Sequence, residues 1–334
     1  MEEQRIRICD IAEELGVSTA TVSNVIHGKT EKISDKTVKR VMALLEEREY
    51  IPSMAGILLS QNSPKIIGVF VNDHEKYEGH TLEDFFISSS LNYLSKEIEK
   101  RELFMMVKKA KDAKEVLKFA SMWNMEGLVM IGFCEQDYMY LRDHMRIPFV
   151  VYDGFCSHPE RFVNITIDNE NGGYQVGRRF KDKGHENVLC ISDNALCMDL
   201  ERYQGFCEGF GSYDIPLMLI PMKKEERWEF YLDNLEAFLS VTAVFAVSDH
   251  YACDLICFLQ SQGIKVPEEI SVVGFDDTPI CSMVWPPLSS VKQDSELRAR
   301  LALDKLKELK EKYEDEIETE IKLPVKLVVR ESSI

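Results

Sequence analysis

A run of small polar side chains near the start of the chain has the residue types that read nucleic acid. Ser18 stands where a helix would begin, and Val22, Val25 and Ile26 give that helix one apolar face. The opposite face consists of Thr19, Thr21, Ser23, Asn24 and His27, whereas Ala20 belongs partly to the apolar face. Hydroxyl groups can hold phosphates, and an Asn amide can pair with adenine. This face therefore predicts an interface with the major groove of double-stranded DNA.

Three short helices are needed to position that face. Apolar residues from Ile8 to Leu15 recur at helical spacing, and Gly16 follows where a left-handed C-terminal cap would lie. A third helix begins at Ser34, and the corner from Leu15 to Ser18 is tight. This pattern is typical of a helix-turn-helix unit. A three-helix bundle whose polar face has no role remains the alternative.

Residues 8–59 resemble the head and hinge of the LacI/GalR family of bacterial transcriptional regulators. The residues that match the family pattern are Asp10, Ala12, Gly16, Val17, Ser18, Thr21, Val22 and Ser23. The resemblance implies that Thr19, Ala20 and Asn24 contact base edges. It also implies that the DNA backbone is held by Ser18, Thr21, Ser23 and His27. Arg7 and Asn24 depart from the usual family residues, so the operator sequence is not implied.

The same resemblance divides the first 64 residues into a head at 1–50 and a hinge helix with its linker at 51–64. In that register Leu59 is the apolar wedge that enters the minor groove. Ser53, Gly56 and Ile57 depart from the family pattern, and Gly56 costs about 1 kcal/mol of helix stability relative to Ala. Burial of the apolar run at 57–59 against the core is the alternative.

The charge of the chain limits where nucleic acid can bind. The formal net charge is -17, and residues 1–63 carry eight basic and ten acidic side chains. Binding through the whole surface is therefore excluded. A local basic stretch is formed by Lys29, Lys32, Lys36, Lys39 and Arg40.

From residue 65 onward, apolar strands alternate with amphipathic helices in two successive series. This alternation predicts two doubly wound α/β lobes with parallel sheets. Sequence blocks from Ile167-Asp168-Asn169 to Gly274-Phe275-Asp276-Asp277 resemble the LacI/GalR sensor, which is similar to periplasmic binding proteins. We therefore expect a two-lobed core at 65–334 behind an all-α helix-turn-helix head. The N-terminal lobe is predicted at 65–161 plus 290–321, and the C-terminal lobe at 162–289 plus 322–334.

A ligand is expected between the lobes, because small molecules bind outside the carboxyl ends of parallel strands. Asp276 at a strand end can accept hydrogen bonds from hydroxyl groups, and Arg202 offers a planar fork to hydroxyls or an anion. By family resemblance, Asp249 and Asp153 line the same effector site. Further candidates are Asn72, Asp73, Ser192, Trp228 and Gln293. A sugar or sugar derivative is the expected effector; any one of these Asp residues could instead cap a helix or a turn.

The sequence carries none of the common catalytic or cofactor-binding motifs. We find no P-loop, no glycine fingerprint after Val71 and no G-x-S-x-G or H-E-x-x-H motif, so no catalytic residue, metal or cofactor is predicted. No secretory signal or membrane span is visible, which predicts a cytoplasmic protein. The tail has no heptad extension, so a homodimer is expected. A solute-binding protein of a transport system and a doubly wound enzyme acting on a sugar or nucleoside are the alternatives.

Overall fold

The computed structural model describes residues 6–51, 65–156, 159–311 and 317–334, and the chain divides into one unit up to Pro64 and a second from Lys65. Over its described residues, 6–51, the first unit holds three helices. These are α1 (Ile8–Leu15), α2 (Thr19–Ile26) and α3 (Asp35–Glu47). Their buried contacts come from Ile11, Ala12, Val22, Val25, Val41 and Leu44.

The end of α1 and the starts of α2 and α3 lie at the predicted signals. Gly16 ends α1 in the left-handed conformation, with φ 66°, which glycine adopts without steric cost. The Ser18 and Ser34 hydroxyls accept backbone N–H groups at the starts of α2 and α3. At α1 the carboxylate of Asp10 accepts the backbone N–H of Arg7. The predicted helical head is confirmed.

The second unit contains two six-stranded sheets. The first has the strand order β11-β5-β4-β3-β1-β2 and is parallel throughout. Its strands are β1 (Ile66–Asn72), β2 (Phe104–Ala110), β3 (Gly127–Ile131), β4 (Phe149–Tyr152), β5 (Val163–Ile167) and β11 (Glu320–Leu323). The helices that belong with it are α4 (Phe85–Lys100), α5 (Ala113–Met122), α6 (Glu135–His144) and α12 (Ser295–Glu311). Val69 of β1 lies opposite Val107 and Val129 and is fully buried, as expected for a sheet covered on both faces.

The second sheet has the order β12-β10-β9-β8-β6-β7. Its strands are β6 (Val188–Ser192), β7 (Leu217–Leu219), β8 (Ala243–Ala246), β9 (Ser271–Asp276), β10 (Ser289–Lys292) and β12 (Lys326–Val328). The helices that belong with it are α7 (Asn169–Asp182), α8 (Cys197–Phe210), α9 (Lys224–Asp233), α10 (Leu235–Leu239) and α11 (Asp249–Ser261). The predicted pair of α/β lobes is confirmed, with one addition: β12 runs antiparallel to β10.

The lobe boundaries differ from those predicted. Residues 163–167 form β5 in the first sheet, although the prediction assigned them to the C-terminal lobe. Residues 290–292 lie in β10 of the second sheet, and 322–323 lie in β11 of the first. Sequence periodicity locates strands, but sheet membership depends on long-range pairing that local residues do not encode. The chain therefore passes between the lobes near 168, 293 and 324.

Candidate functional site

The polar face of α2 is largely open to solvent. Ser18, Thr19, Ala20 and Asn24 are exposed, whereas Thr21, Ser23 and His27 are half-buried. The Ser18 and Thr21 hydroxyls lie 2.9 Å apart and hydrogen-bond each other, so part of their hydrogen-bonding capacity is used inside the head. The residues assigned to base edges are thus free of the head's own packing, which is the geometry that groove reading requires. Leu59 and its neighbours in the hinge lie outside the described residues.

One member of the predicted basic stretch has an internal role. Arg40 donates from its guanidinium to the carbonyl oxygen of Leu15 at 3.1 Å, where α1 leaves its last carbonyls without helical partners. Arg48, on the same helix surface, pairs with Glu14 at 2.7 Å. Arg40 is therefore a structural cap in the head, whereas Lys29, Lys32, Lys36 and Lys39 are exposed.

In the second unit, Arg202 is held rigidly on α8. Its Nε donates to Asn169 Oδ1 at 2.9 Å and one terminal nitrogen donates to the carbonyl of Val247 at 2.7 Å. The guanidinium carbon lies 3.9 Å from the centre of the Phe275 ring. The side chain is 8% exposed, so one edge of the fork reaches the space between the lobes.

Close packing of α7 on α8 fixes the position of Arg202. A Cβ atom on Gly173 would overlap the Arg202 carbonyl oxygen, and one on Gly205 would overlap the carbonyl of Glu170. Gly177 and Gly209 repeat this reciprocal approach one turn further along. The glycines let the two helix backbones touch, which sets where Arg202 enters the cleft.

The Asp276 carboxylate lies beside this guanidinium. Its Oδ1 is 4.0 Å from an Arg202 nitrogen and accepts a hydrogen bond from the Gln293 amide at 2.5 Å. Burial raises the pKa of Asp276 well above its ordinary range, against the opposing effect of Arg202. Its backbone has φ 117°, a conformation that non-glycine residues rarely adopt and that is concentrated at functional sites. The structure thus brings together three predicted residues: Arg202, Asp276 and Gln293.

Asp249 has a different set of partners from Asp276. It begins α11 and is 1% exposed. One carboxylate oxygen accepts from the Ser290 hydroxyl at 2.5 Å, and the other accepts from the backbone N–H and the hydroxyl of Thr278 at 2.7 and 2.9 Å. Because both oxygens are occupied within the lobe, we correct its expected role to that of an internal brace of β9 and β10.

Asp153 ends β4 on the other side of the cleft. It has φ 52° and forms an ion pair of 2.6 Å with Arg298 of α12. Asp73 after β1 accepts from Thr81 at 2.6 Å and pairs with Lys109 at 3.0 Å, and these contacts lower its pKa. Asn72 is half-buried at the end of β1. These residues lie at the predicted strand ends of the first lobe, but the carboxylates of Asp153 and Asp73 are already engaged there.

Two other candidates lie inside the second lobe. Ser192 is fully buried and accepts the backbone N–H of Asn194 at 3.2 Å. Trp228 donates to Asp254 at 2.8 Å and packs edge-on against Phe258. Asp254 in turn holds the buried Arg227 at 2.6 Å. Trp228 is half-buried and its indole nitrogen belongs to this ion-pair cluster, so a contact between its ring and an effector stays a prediction.

Sequence reasoning missed several charged neighbours of Arg202. Asp199 lies 3.8 Å from the guanidinium, and burial raises the pKa of Asp199, with the Asp193 carboxylate adding to that effect. Lys76, an exposed residue that follows β1, and Asp84 are further charged groups near Asp193 and Asp199. Lys76 and Asp84 come from the first lobe, and Asp193 and Asp199 from the second. Acidic groups therefore face each other across the lobes, a feature that strand periodicity could not reveal.

The described residues offer neither a metal-binding cluster nor a membrane-spanning helix. No group of three or more His, Cys, Asp or Glu side chains is arranged to hold a metal ion. No helix among these residues is both long and apolar enough to cross a membrane.

Two family descriptions match this chain. Residues 7–53 match bacterial regulatory proteins of the lacI family, and residues 178–333 match the periplasmic binding protein-like domain. A helix-turn-helix head in front of a two-lobed binding core defines a DNA-binding transcriptional regulator with an effector-binding domain. The head is therefore similar to the lacI family and the core to periplasmic binding proteins, and the relatives named below are transcriptional regulators.

Similar proteins cover nearly the whole chain. The HTH-type transcriptional repressor PurR of Photobacterium profundum is 27% identical over 323 residues, covering 90% of this chain and 91% of that protein. The HTH-type transcriptional regulator DegA of Bacillus subtilis is 29% identical over 309 residues, covering 86% of each.

Solved structures confirm the fold. The lac repressor dimer bound to operator and the anti-inducer ONPF has a TM-score of 0.83 at 21% identity, covering 98% of this chain and 99% of that one. A CelR–cellobiose complex has a TM-score of 0.68 at 23% identity, covering 98% and 100%. A LacI family transcriptional regulator from Enterococcus faecium with bound ribose has a TM-score of 0.68 at 19% identity, covering 80% and 98%.

Proposed function

We propose that this protein is a dimeric repressor that binds operator DNA through α2 and responds to a small effector bound between its lobes. The observation that carries the proposal is the exposed face of Thr19, Ala20 and Asn24 on a helix capped by Ser18. Within residues 6–51 these three side chains are exposed, and they belong to the segment that matches the lacI family.

The operator contact is tested by selection from randomised duplex oligonucleotides at low salt, followed by Asn24→Ala. Loss of one bidentate base contact costs about 1–3 kcal/mol of discrimination. Asn24→Ala should therefore weaken operator binding and leave binding to random-sequence DNA unchanged. Lys36→Ala, which removes a phosphate contact, should weaken both. Failure to enrich any site would refute the proposal.

The charge of the cleft narrows the effector class. Arg202 is shared between Asp199 and Asp276, and Lys76 is the other cation among Asp84 and Asp193. Two carboxylates 3.8 and 4.0 Å from the guanidinium already offset part of its charge. A phosphorylated effector would place a further anion beside Asp199 and Asp276, whose raised pKa values reflect how unfavourable negative charge is there. We infer that the effector is uncharged or cationic and rich in hydrogen-bond donors.

Two chemical classes fit that description. Polyhydroxyl sugars present donors to carboxylates, and related structures hold cellobiose and ribose. A purine base also presents N–H donors, and several relatives are named PurR. A thermal-shift screen with sugars, purines and a sugar phosphate separates them. Arg202→Ala and Asp276→Ala should abolish the shift, whereas Glu208→Gln on the exposed side of α8 should retain it.

A second copy of the chain is the partner that the core's surface favours. Met283 and Trp285, 76% and 72% exposed, project from the loop between β9 and β10. Large exposed apolar side chains next to each other are typical of association surfaces. The lac repressor structure with which this chain aligns is itself a dimer. Two heads on one duplex would double the number of phosphate contacts, which an acidic protein needs.

Control of DNA binding requires that the effector favour one of two core arrangements. An effector changes operator affinity only by its difference in affinity for the two states, typically about 1–3 kcal/mol. The three chain crossings near 168, 293 and 324 are the covalent connections about which the lobes can reorient.

A further inference from the structure

Arg298 is the unexpected charged residue in the interior of the first lobe. It lies on the side of α12 that faces the sheet, is 1% exposed, and its guanidinium carbon lies 4.3 Å from the centre of the Tyr152 ring. One terminal nitrogen lies 2.6 Å from Asp153 at the end of β4 and donates to the carbonyl of Ile165 in β5, also at 2.6 Å. This side chain therefore ties α12 to two neighbouring strands of the first sheet.

The other terminal nitrogen of Arg298 donates to the Gln293 side-chain oxygen at 3.3 Å. A guanidinium can only donate, so this contact requires the amide oxygen of Gln293 to face Arg298. The amide nitrogen must then face the opposite way, where it donates to Asp276 Oδ1 at 2.5 Å. Arg298 thus fixes which end of the Gln293 amide meets the candidate effector site.

The contacts form one continuous path between the lobes. It begins at Asp153 in the first sheet, passes through Arg298 and the crossing residue Gln293, and reaches Asp276 in the second sheet. The guanidinium of Arg202, 4.0 Å beyond, is the last member. Each contact is buried or nearly so, which strengthens electrostatic interactions relative to those in water.

Stability alone does not account for this arrangement. A buried ion pair is often no more stabilising than apolar side chains of the same size. The cluster is also incompletely satisfied: among the described residues, Arg298 Nε, the Tyr152 hydroxyl and Asp153 Oδ1 are buried without a hydrogen-bond partner, so Asp153 meets Arg298 as an ion pair. Several kinds of apolar residue would fill the position of Arg298 at lower cost. None of them could orient Gln293.

We propose that Arg298 is the positioning residue that couples the effector site to the first lobe. An effector donor that binds Asp276 competes with the Gln293 amide for the same carboxylate. Displacement of Gln293 removes a hydrogen-bond partner from Arg298. The guanidinium then shifts against Asp153 at the end of β4 and against the Ile165 carbonyl in β5. The inference rests on the proposed function in placing the effector at Asp276, but the path itself can be tested without any effector.

The first experiment measures coupling between two residues that do not touch. Asp153→Asn and Asp276→Asn are made singly and together in the full chain, in the wild-type and in an Arg298→Lys background. Lysine keeps a charge beside Asp153 but lacks the fork that also holds Gln293. Unfolding equilibrium constants are measured in urea. Residues in one network deviate from additivity, whereas independent sites do not.

With wild-type Arg298, the combined effect on the unfolding constant should differ from the product of the single effects by about threefold or more. With Arg298→Lys, the combined effect on the unfolding constant should equal the product of the single effects. The proposal is overturned if the combined effect equals that product in the wild-type background, or if it still differs from the product when residue 298 is lysine. Lys305→Met serves as the control background, because Lys305 is also buried on α12 but pairs with Glu308. It should leave the coupling intact.

The second experiment measures regulation. Operator affinity is measured with and without cellobiose, ribose and adenine, using whichever compound changes it in the wild type. Arg298→Lys should bring the ratio of the two affinities towards one, whereas Lys305→Met should leave it unchanged. An unaltered ratio in Arg298→Lys rejects the regulatory role. If no compound of the panel affects operator binding, it is the proposed effector control that is challenged, while the unfolding experiment still decides the path.

Discussion

Gly173 of α7 lies directly against the backbone of Arg202 in α8, so close that a single methyl group there would overlap the Arg202 carbonyl oxygen. A backbone atom cannot rotate away as a side chain can. The helices must therefore separate if Gly173 gains a side chain, and Arg202 would move with α8.

Gly173→Ala should destabilise the second lobe by about 1–3 kcal/mol, the usual cost of overpacking, or more. The midpoint of urea unfolding is the measurement. Glu170→Ala, which removes an exposed side chain from the first turn of the same helix, should change the unfolding free energy by no more than about 1 kcal/mol. Equal stability of Gly173→Ala and wild type would show that α7 and α8 do not pack this closely.

The buried Asp249 predicts a specific pH dependence of stability. Burial raises its pKa from the ordinary 3.8 to about 6 in the folded protein, despite the hydrogen bonds from Ser290 and Thr278. The folded state therefore holds a proton that the unfolded state releases between these values. The resulting stabilisation is complete below pH 3.8 and is lost as the pH rises through 6.

The free energy of unfolding should thus lose a contribution of up to about 3 kcal/mol across that range, at 1.36 kcal/mol per pKa unit. Urea titrations of the wild type and Asp249→Asn from pH 4 to pH 7 isolate this contribution, because other titrating groups are common to both. The difference in unfolding free energy between the two proteins should change across this pH range. Parallel curves would mean that Asp249 has an ordinary pKa.

The Arg227–Asp254 ion pair is buried, with side chains 1% and 7% exposed. Arg227→Ala leaves a carboxylate without its cation in the interior and should cost about 3–5 kcal/mol. Arg178→Ala, which breaks the exposed pair with Asp182, should cost less than about 1 kcal/mol. Arg227→Met combined with Asp254→Leu should recover most of the loss in thermal or urea unfolding; if it does not, the cost lies in contacts other than the charge pair.

The exposed Met283 and Trp285 predict how the protein associates. Trp285→Glu should shift the protein from dimer to monomer in sedimentation equilibrium and weaken operator binding, because one head then binds alone. Tyr213→Glu, equally exposed at 76% in the same lobe, should do neither. A Trp285→Glu protein that remains dimeric would place the interface elsewhere.

Local signals in the sequence were sufficient for the head and for the order of elements in the core. The caps at Gly16, Ser18 and Ser34 depend on the conformations and hydrogen bonds of a few consecutive residues, so the sequence alone identifies them. Alternating apolar strands and amphipathic helices identified two α/β lobes for the same reason. Arg202 and Asp276 were found because their blocks resemble those of a known family.

Only the tertiary structure decided which polar groups meet. Asp249 and Asp276 both stand next to a strand end in the sequence, yet one is saturated by Ser290 and Thr278 while the other faces Arg202. The pairing of β5 with β11 and the contact of Arg298 with Asp153 join residues more than a hundred positions apart along the chain. The position of β10 likewise depends on its pairing with β9 and β12. Local sequence determines which conformation a segment prefers, but the partner of a buried charge is determined by how distant segments pack.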